Sequence, residues 1–162
     1  YDREDYVFGA CAGAGIYRRD FFEQVGIFDE DFFIFAEDVD INMRGQLQGF
    51  KCIYLPEAKV YHIGTATVGL YSDRYIYLCK RNDIFVLIRN YSLRMYFRYL
   101  WTILKHQFND IKYFTYRGQG IVLFKSKLDA FKMLLPMLFR RFRIQSSRTV
   151  PDGKIDPLII KS

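Results

Sequence analysis

Apolar and polar positions follow two regimes along the chain. Up to about residue 70 the apolar runs are short and are broken by Gly, Pro and acidic residues; from Asp73 onward they recur at helical spacing. In the first regime Tyr6-Val7-Phe8 predicts a short strand that runs into Gly9-Ala10-Cys11-Ala12-Gly13-Ala14-Gly15, where side chains are nearly absent. Such a run lets the backbone come close to a ligand or to another segment. Ile16-Tyr17-Arg18 predicts a continuing strand, and Asp20 with Glu23 has capping-box spacing for a helix from Asp20 to Val25 that Gly26 stops. A second helix is predicted from Glu37, because Val39, Met43 and Leu47 recur every four residues and Gly49 is placed to end it. Lys51 to Leu55 reads as a strand stopped by Pro56, and Val60-Tyr61-His62-Ile63 as another. Helices alternating with strands predict an α/β layer structure.

The second regime predicts helices over 73–89, from a Ser92 cap to about Phe108, and over 122–142 with Pro136 as a kink. From Ile144 the chain carries Ser146-Ser147, Pro151-Asp152-Gly153 and Pro157, which predict a loose tail. The expected division is therefore 1–70, 71–143 and 144–162.

Charge supports that division. Of the 24 Lys/Arg and 18 Asp/Glu, the first 70 residues hold 6 and 12, and the remainder 18 and 6, so an acidic segment precedes a basic one. Three cysteines, Cys11, Cys52 and Cys79, have no paired spacing, which argues against a disulfide framework or zinc site and suits a reducing, cytosolic setting. Lys or Arg interrupts every apolar run well short of the roughly 18 residues a spanning helix needs. The start, Tyr1-Asp2-Arg3-Glu4-Asp5, lacks the basic flank and apolar run of a signal peptide, and without an initiator Met the chain is expected to begin inside a longer protein.

The chemistry concentrates in Asp29 to Asp40, where six carboxylates are interleaved with Phe32, Phe33 and Phe35. Acids in a first helical turn suit the helix dipole, which is a sufficient structural reason for them. The aromatic company adds another possibility, since a partly desolvated carboxylate is a better proton acceptor. Asp40 lies two positions beyond Asp38, nearly on the opposite helix face, with Arg44 at i+4, so a structural ion pair is its expected role. His62, in an apolar stretch, is by spacing alone more often a satisfied core residue than a ligand.

Taken in order, Gly9-Ala10, Tyr17-Arg18-Arg19, Val25-Gly26-Ile27-Phe28-Asp29-Glu30, Phe32-Phe33, Glu37-Asp38-Val39-Asp40, Arg44, Gly49, Pro56-Glu57-Ala58, Val60-Tyr61-His62 and Arg81-Asn82 resemble the C-terminal half of the catalytic domain of a family 2 glycosyltransferase. The resemblance is strongest to the bacterial rhamnosyltransferase branch and covers about the first 90 residues. It implies a partial GT-A domain (the nucleotide-diphospho-sugar transferase fold) followed by an α-helical C-terminal extension. It further implies an inverting transfer of one sugar, with Asp38 as the catalytic base, Glu37 as its acidic neighbour, and Gly9, Ala10 and Arg18 at the substrate. His62 would join a divalent metal, Mg or Mn. The implied donor is a nucleoside-diphosphate sugar, dTDP-rhamnose or a UDP-hexose, and the acceptor a saccharide or polyprenyl-diphosphate-linked saccharide in cell-surface polysaccharide synthesis. The family's Asp-x-Asp and base pocket are not among these residues, so a catalytically incomplete fragment or an accessory membrane-surface module is the alternative. Gln46-Leu47-Gln48-Gly49 is not the Gln-x-x-Arg-Trp of processive synthases, which fits an enzyme that adds one sugar and releases.

In the basic segment Arg74, Lys80, Arg81, Arg89, Arg94, Arg98 and Lys105 are mixed with Tyr, Phe and Trp101, and Arg140-Arg141-Phe142-Arg143 follows. An anionic membrane surface suits this mixture, as does single-stranded nucleic acid. Membrane docking, beside an ordinary helical core with solvated charges, is the preferred reading, and nucleic acid is not expected. The predicted location is cytoplasmic, peripheral on the inner face of the cell membrane.

Overall fold

The computed structural model of the chain describes residues 3–62, 64 and 68–161. They form two compact units, one of residues 1–64 with 143–162, the other of residues 65–142.

The first unit is organised around helix α2, Glu37–Leu47, in which every residue from Asp40 to Leu47 is buried. Ile41, Met43 and Leu47 are its buried apolar residues, Ile41 nearly opposite the other two around the helix. Its polar residues are buried too, because they bond to the backbone of segments that have no ladder of their own. Gln46 Nε2 donates to the Phe8 carbonyl at 2.7 Å and Asn42 Nδ2 to the Ala10 carbonyl at 2.7 Å. Arg44 donates to the carbonyls of Val25 and Ile27, at 2.6 and 2.9 Å, and its Nε meets Asp40 Oδ2 at 2.9 Å. Asp40 is fully buried, so the expected structural pair with Arg44 is present.

Helix α1, Arg19–Val25, ends at Gly26, whose φ of 84° is the conformation glycine adopts without penalty. Arg44 spans that turn from the inside. Phe21 packs on Gly45, where a Cβ would lie 2.6 Å from the ring. Strands β1, Asp5–Val7, and β2, Cys52–Tyr54, pair antiparallel with Tyr6 opposite Ile53.

Several expectations fail here. The capping box of α1 does not form: Arg18 forks onto Asp20 and Arg19 holds Glu23, both at the surface. Residues 16–18 are not a strand; Ile16 is 98% exposed while the Tyr17 ring turns in against Phe21, Phe22 and Phe28. Val60 to His62 are exposed and not in a strand, and Ile63 lies outside the described residues. Among the described residues the only sheet is the β1–β2 pair, so the chain is mostly helical in place of the layered α/β arrangement. The reason is partnership: an isolated extended run leaves its N–H and C=O groups without a ladder, and among the described residues the one sheet is the β1–β2 pair, with no strand beside 16–18 or 60–62.

The stretch from residue 144, expected to be loose, carries the end of α6 (Leu134–Ser147) and α7 (Asp152–Lys161). The Thr149 and Val150 N–H groups both donate to the Leu47 carbonyl at the end of α2, Arg148 pairs with Asp152, and Ile155 is buried.

The second unit holds α3 (Asp73–Asn90), α4 (Leu93–Tyr116), α5 (Gly120–Lys132) and the first part of α6. Ser72 and Ser92 cap α3 and α4 by accepting the Tyr75 and Met95 N–H groups. Helix α4 continues to Tyr116, two turns beyond the expected end. Ile76, Phe114 and Leu123 meet at the core. The helix expected over 122–142 is two, divided at Met133, because Pro136 has no N–H for the Lys132 carbonyl and is tolerated only in a first turn.

Removing Arg44 would leave the Asp40 charge buried without its guanidinium and two carbonyls without donors. Arg44→Ala should cost about 3–5 kcal/mol, read as a fall in the chemical denaturation midpoint. An Asp40→Asn/Arg44→Met double variant should lose less than the two single changes together.

Candidate active site

Three residues ahead of α2 adopt left-handed backbone although none is glycine: Phe33 at φ 63°, Phe35 at 71° and Ala36 at 62°. Each such residue costs on the order of 1 kcal/mol or more, and the strain is held by the buried Phe32 and the turn bonds Phe32 N–H to Asp29 O and Phe33 N–H to Glu30 O. This loop delivers Glu37 and Asp38 to the first turn of α2, with Ala36 in the N-cap position.

Asp38 is gripped at both oxygens. Oδ1 accepts the Val39 N–H at 2.8 Å, and Oδ2 accepts the Ala12 N–H at 3.2 Å from the small-residue loop. Asp38, Asn42 and Gln46 stand at i, i+4 and i+8 on one face of α2, and they bond respectively to Ala12, Ala10 and Phe8. A helix face therefore reads every second residue of an extended segment, and it orients the Asp38 carboxylate as it does so. The Tyr17 hydroxyl donates to Asn42 Oδ1 at 3.2 Å, completing the line. Burial, and then the negative charge of Asp38, raise the Tyr17 pKa above its ordinary value.

The small residues are needed sterically. A Cβ on Gly9 would fall 2.2 Å from Asn42 Cγ, and one on Gly13 would fall 3.3 Å from His62 Cδ2. The short turn Ala12–Ala14 thus touches Asp38 through the Ala12 N–H and His62 through Gly13. Gly9, Ala10, Asp38 and His62 all meet this loop, whereas Arg18 spends its guanidinium on Asp20 at the surface. No three His, Cys, Asp or Glu side chains converge on a metal-sized site among the described residues. His62 offers a single imidazole, so these residues do not assemble a divalent-metal site by themselves.

Glu37 is in a different environment from its neighbour. Its Oε2 is a buried atom without a hydrogen-bond partner among the described residues. Burial raises its pKa above the ordinary value, a backbone hydrogen bond opposes this, and the Asp38 charge adds to the rise. Of the aromatics expected to desolvate the acids, Phe32 is buried and Phe33 points largely to solvent. Asn42, Gln46 and Tyr17 were not among the predicted site residues. The signal for two of them was legible, since Asp38, Asn42 and Gln46 form a polar line at four-residue spacing through a buried helix.

The family described as Glycosyl transferase family group 2 matches residues 4–142, which include this loop and acid pair as well as α3, α4 and α5. The chain belongs to the family 2 glycosyltransferases. Two curated relatives within that chemistry are N-acetylglucosaminyl-diphospho-decaprenol L-rhamnosyltransferases of Mycobacterium tuberculosis, strains CDC 1551 / Oshkosh and ATCC 25618 / H37Rv. Each is 33% identical over 87 residues, covering 48% of this chain and 27% of the relative. The chain therefore spans about a quarter of the length of the curated relatives it matches. No solved structure matches it.

The Glu37 shift has a sign that stability can read. A raised folded-state value means the fold favours the protonated acid; that contribution is fully present below the ordinary carboxyl value of 4.5 and is lost as pH rises through the folded value. Glu37→Gln should therefore be as stable as the parent in acid and more stable at neutrality. Thermal melts across that window measure the divergence, and parallel curves would contradict it.

Proposed function

We propose that this chain carries the proton-accepting side of an inverting glycosyltransferase, with Asp38 as the base. The observation that supports this is the carboxylate itself: held at both oxygens by backbone N–H groups, half-buried, and placed at the start of a rigid helix by a strained loop. A base must sit within about 3 Å of the hydroxyl it deprotonates, and such fixing meets that demand. Each carboxylate oxygen keeps a lone pair beyond its backbone bond.

In the proposed step Asp38 takes the proton of the acceptor hydroxyl as that oxygen forms its bond to the anomeric carbon. The bond from that carbon to the diphosphate breaks on the opposite face, and the nucleoside diphosphate leaves with the electron pair. Glu37, the acidic neighbour of the base, would lie at the acceptor. The backbone at Gly9 and Ala10 would line the substrate path, and Arg18 would reach the substrate only by exchanging its surface pair with Asp20 for it. One sugar is added per encounter.

The relatives' name motivates rhamnose as the sugar, from dTDP-rhamnose, with a UDP-hexose as the other donor class, and a polyprenyl-diphosphate-linked saccharide as acceptor. A GT-A arrangement and a divalent cation, Mg or Mn, with His62 as one ligand, belong to the same reading. The reaction would take place on the cytoplasmic face of the cell membrane.

In the full-length enzyme Asp38→Asn should lower turnover by at least about 10³-fold while donor binding persists. Sugar transfer assays beside calorimetric titration of the nucleotide sugar measure both, and a near-normal rate would remove Asp38 from the role.

A further inference from the structure

Helix α4 uses one face for the core of its unit, where Met95 and Phe114 are buried, and leaves a second apolar face uncovered. Phe97, Leu100, Trp101, Leu104, Phe108 and Ile111 are all exposed, Phe97 at 78% and Trp101 at 79%. At about 100° per residue they fall within a sector of about 100°, a single stripe along a helix about 36 Å long. Scattered surface apolar residues need no explanation, but a continuous stripe does.

The charges beside it have one sign. Arg94, Arg98, Lys105 and Lys112 are exposed and fall along one flank of the stripe, and Lys112 Nζ lies 5.8 Å from the Phe108 ring. The one acid of α4, Asp110, is buried and turned inward to Lys80 at 3.0 Å. No helix among the described residues is long and apolar enough to cross a membrane.

We propose that this face of α4 lies in the plane of an anionic lipid surface, with the stripe in the acyl boundary and the flanking cations on lipid phosphates. Charge complementarity selects this occupant. A second copy of the chain would bring the same four cations together across a two-fold axis, and a neutral apolar partner would leave them unused. Trp101, amphipathic and at the edge of the stripe beside the cations, suits the headgroup level. This proposal does not rest on the transfer chemistry.

Trp101 is also the probe, because the protein minus its Trp101→Phe variant isolates the emission of this residue. With vesicles of phosphatidylcholine containing about a third phosphatidylglycerol, the Trp101 signal of the full-length protein should shift to the blue and be quenched by brominated acyl chains. The shift should shrink in molar salt and on pure phosphatidylcholine. Lys105→Glu/Lys112→Glu should weaken vesicle binding at least about tenfold, and Leu104→Glu should abolish it, with far-ultraviolet circular dichroism unchanged. Asp38→Asn should bind like the parent, so loss of catalysis and loss of docking are separable. No shift on either vesicle, an equal shift on both at both salts, or a shielded Trp101 in a lipid-free dimer that vesicles leave unchanged would each overturn the proposal, the last in favour of self-association.

Discussion

The first unit depends on buried polar side chains that satisfy irregular backbone. Two three-residue strands cannot pair the carbonyls of Phe8, Ala10, Val25 and Ile27, and a buried carbonyl without a donor costs about as much as a lost hydrogen bond. Gln46, Asn42 and Arg44 supply the donors from one helix. This explains why α2 buries polar residues along with Ile41, Met43 and Leu47, and why Gly9 and Gly45 are glycines: the neighbours approach too closely for a Cβ. The Asp40–Arg44 pair belongs to the same arrangement, since it neutralises the guanidinium that reaches the α1 terminus.

The acid pair inherits its properties from that helix. Asp38 continues the line of Asn42 and Gln46, and is thereby tied to the loop it faces. Glu37, one residue earlier, lies off that line, and its Oε2 is buried without a hydrogen-bond partner among the described residues. Burial raises the Glu37 pKa, a backbone hydrogen bond opposes the rise, and the Asp38 charge adds to it. The left-handed residues Phe33, Phe35 and Ala36 are the cost of presenting both acids at the first turn.

In the second unit the excess of cations sorts by direction. Lys80 turns inward to Asp110 and Asp83, and Arg141, expected at a membrane, donates to the carbonyls of Ile88 and Tyr91 where α3 ends. Arg94, Arg98, Lys105 and Lys112 face outward. Burial of a lysine is tolerable beside carboxylates, and the carbonyls at a helix end favour a guanidinium, so both inward groups are structural.

The sequence by itself determined the local and one-dimensional features. The start of α2 at Glu37, its end before Gly49, the i,i+4 pairing of Asp40 with Arg44, the Ser92 cap and the shift to helical period after residue 70 all follow from neighbours a few positions apart. The family was legible for the same reason, because its motifs are collinear. Tertiary structure decided what depends on distant partners. Residues 16–18 and 60–62 have strand-forming composition but no strand to pair with among the described residues, and the tail from residue 144 became ordered by bonding to the end of α2. Nothing near Asn42 in the chain announces that it bonds Ala10, 32 residues away, or that His62 lies against Gly13. The sequence marked this helix as a mixture of aromatic, apolar and basic residues, but only packing could show which of its apolar residues the core takes and which it leaves open.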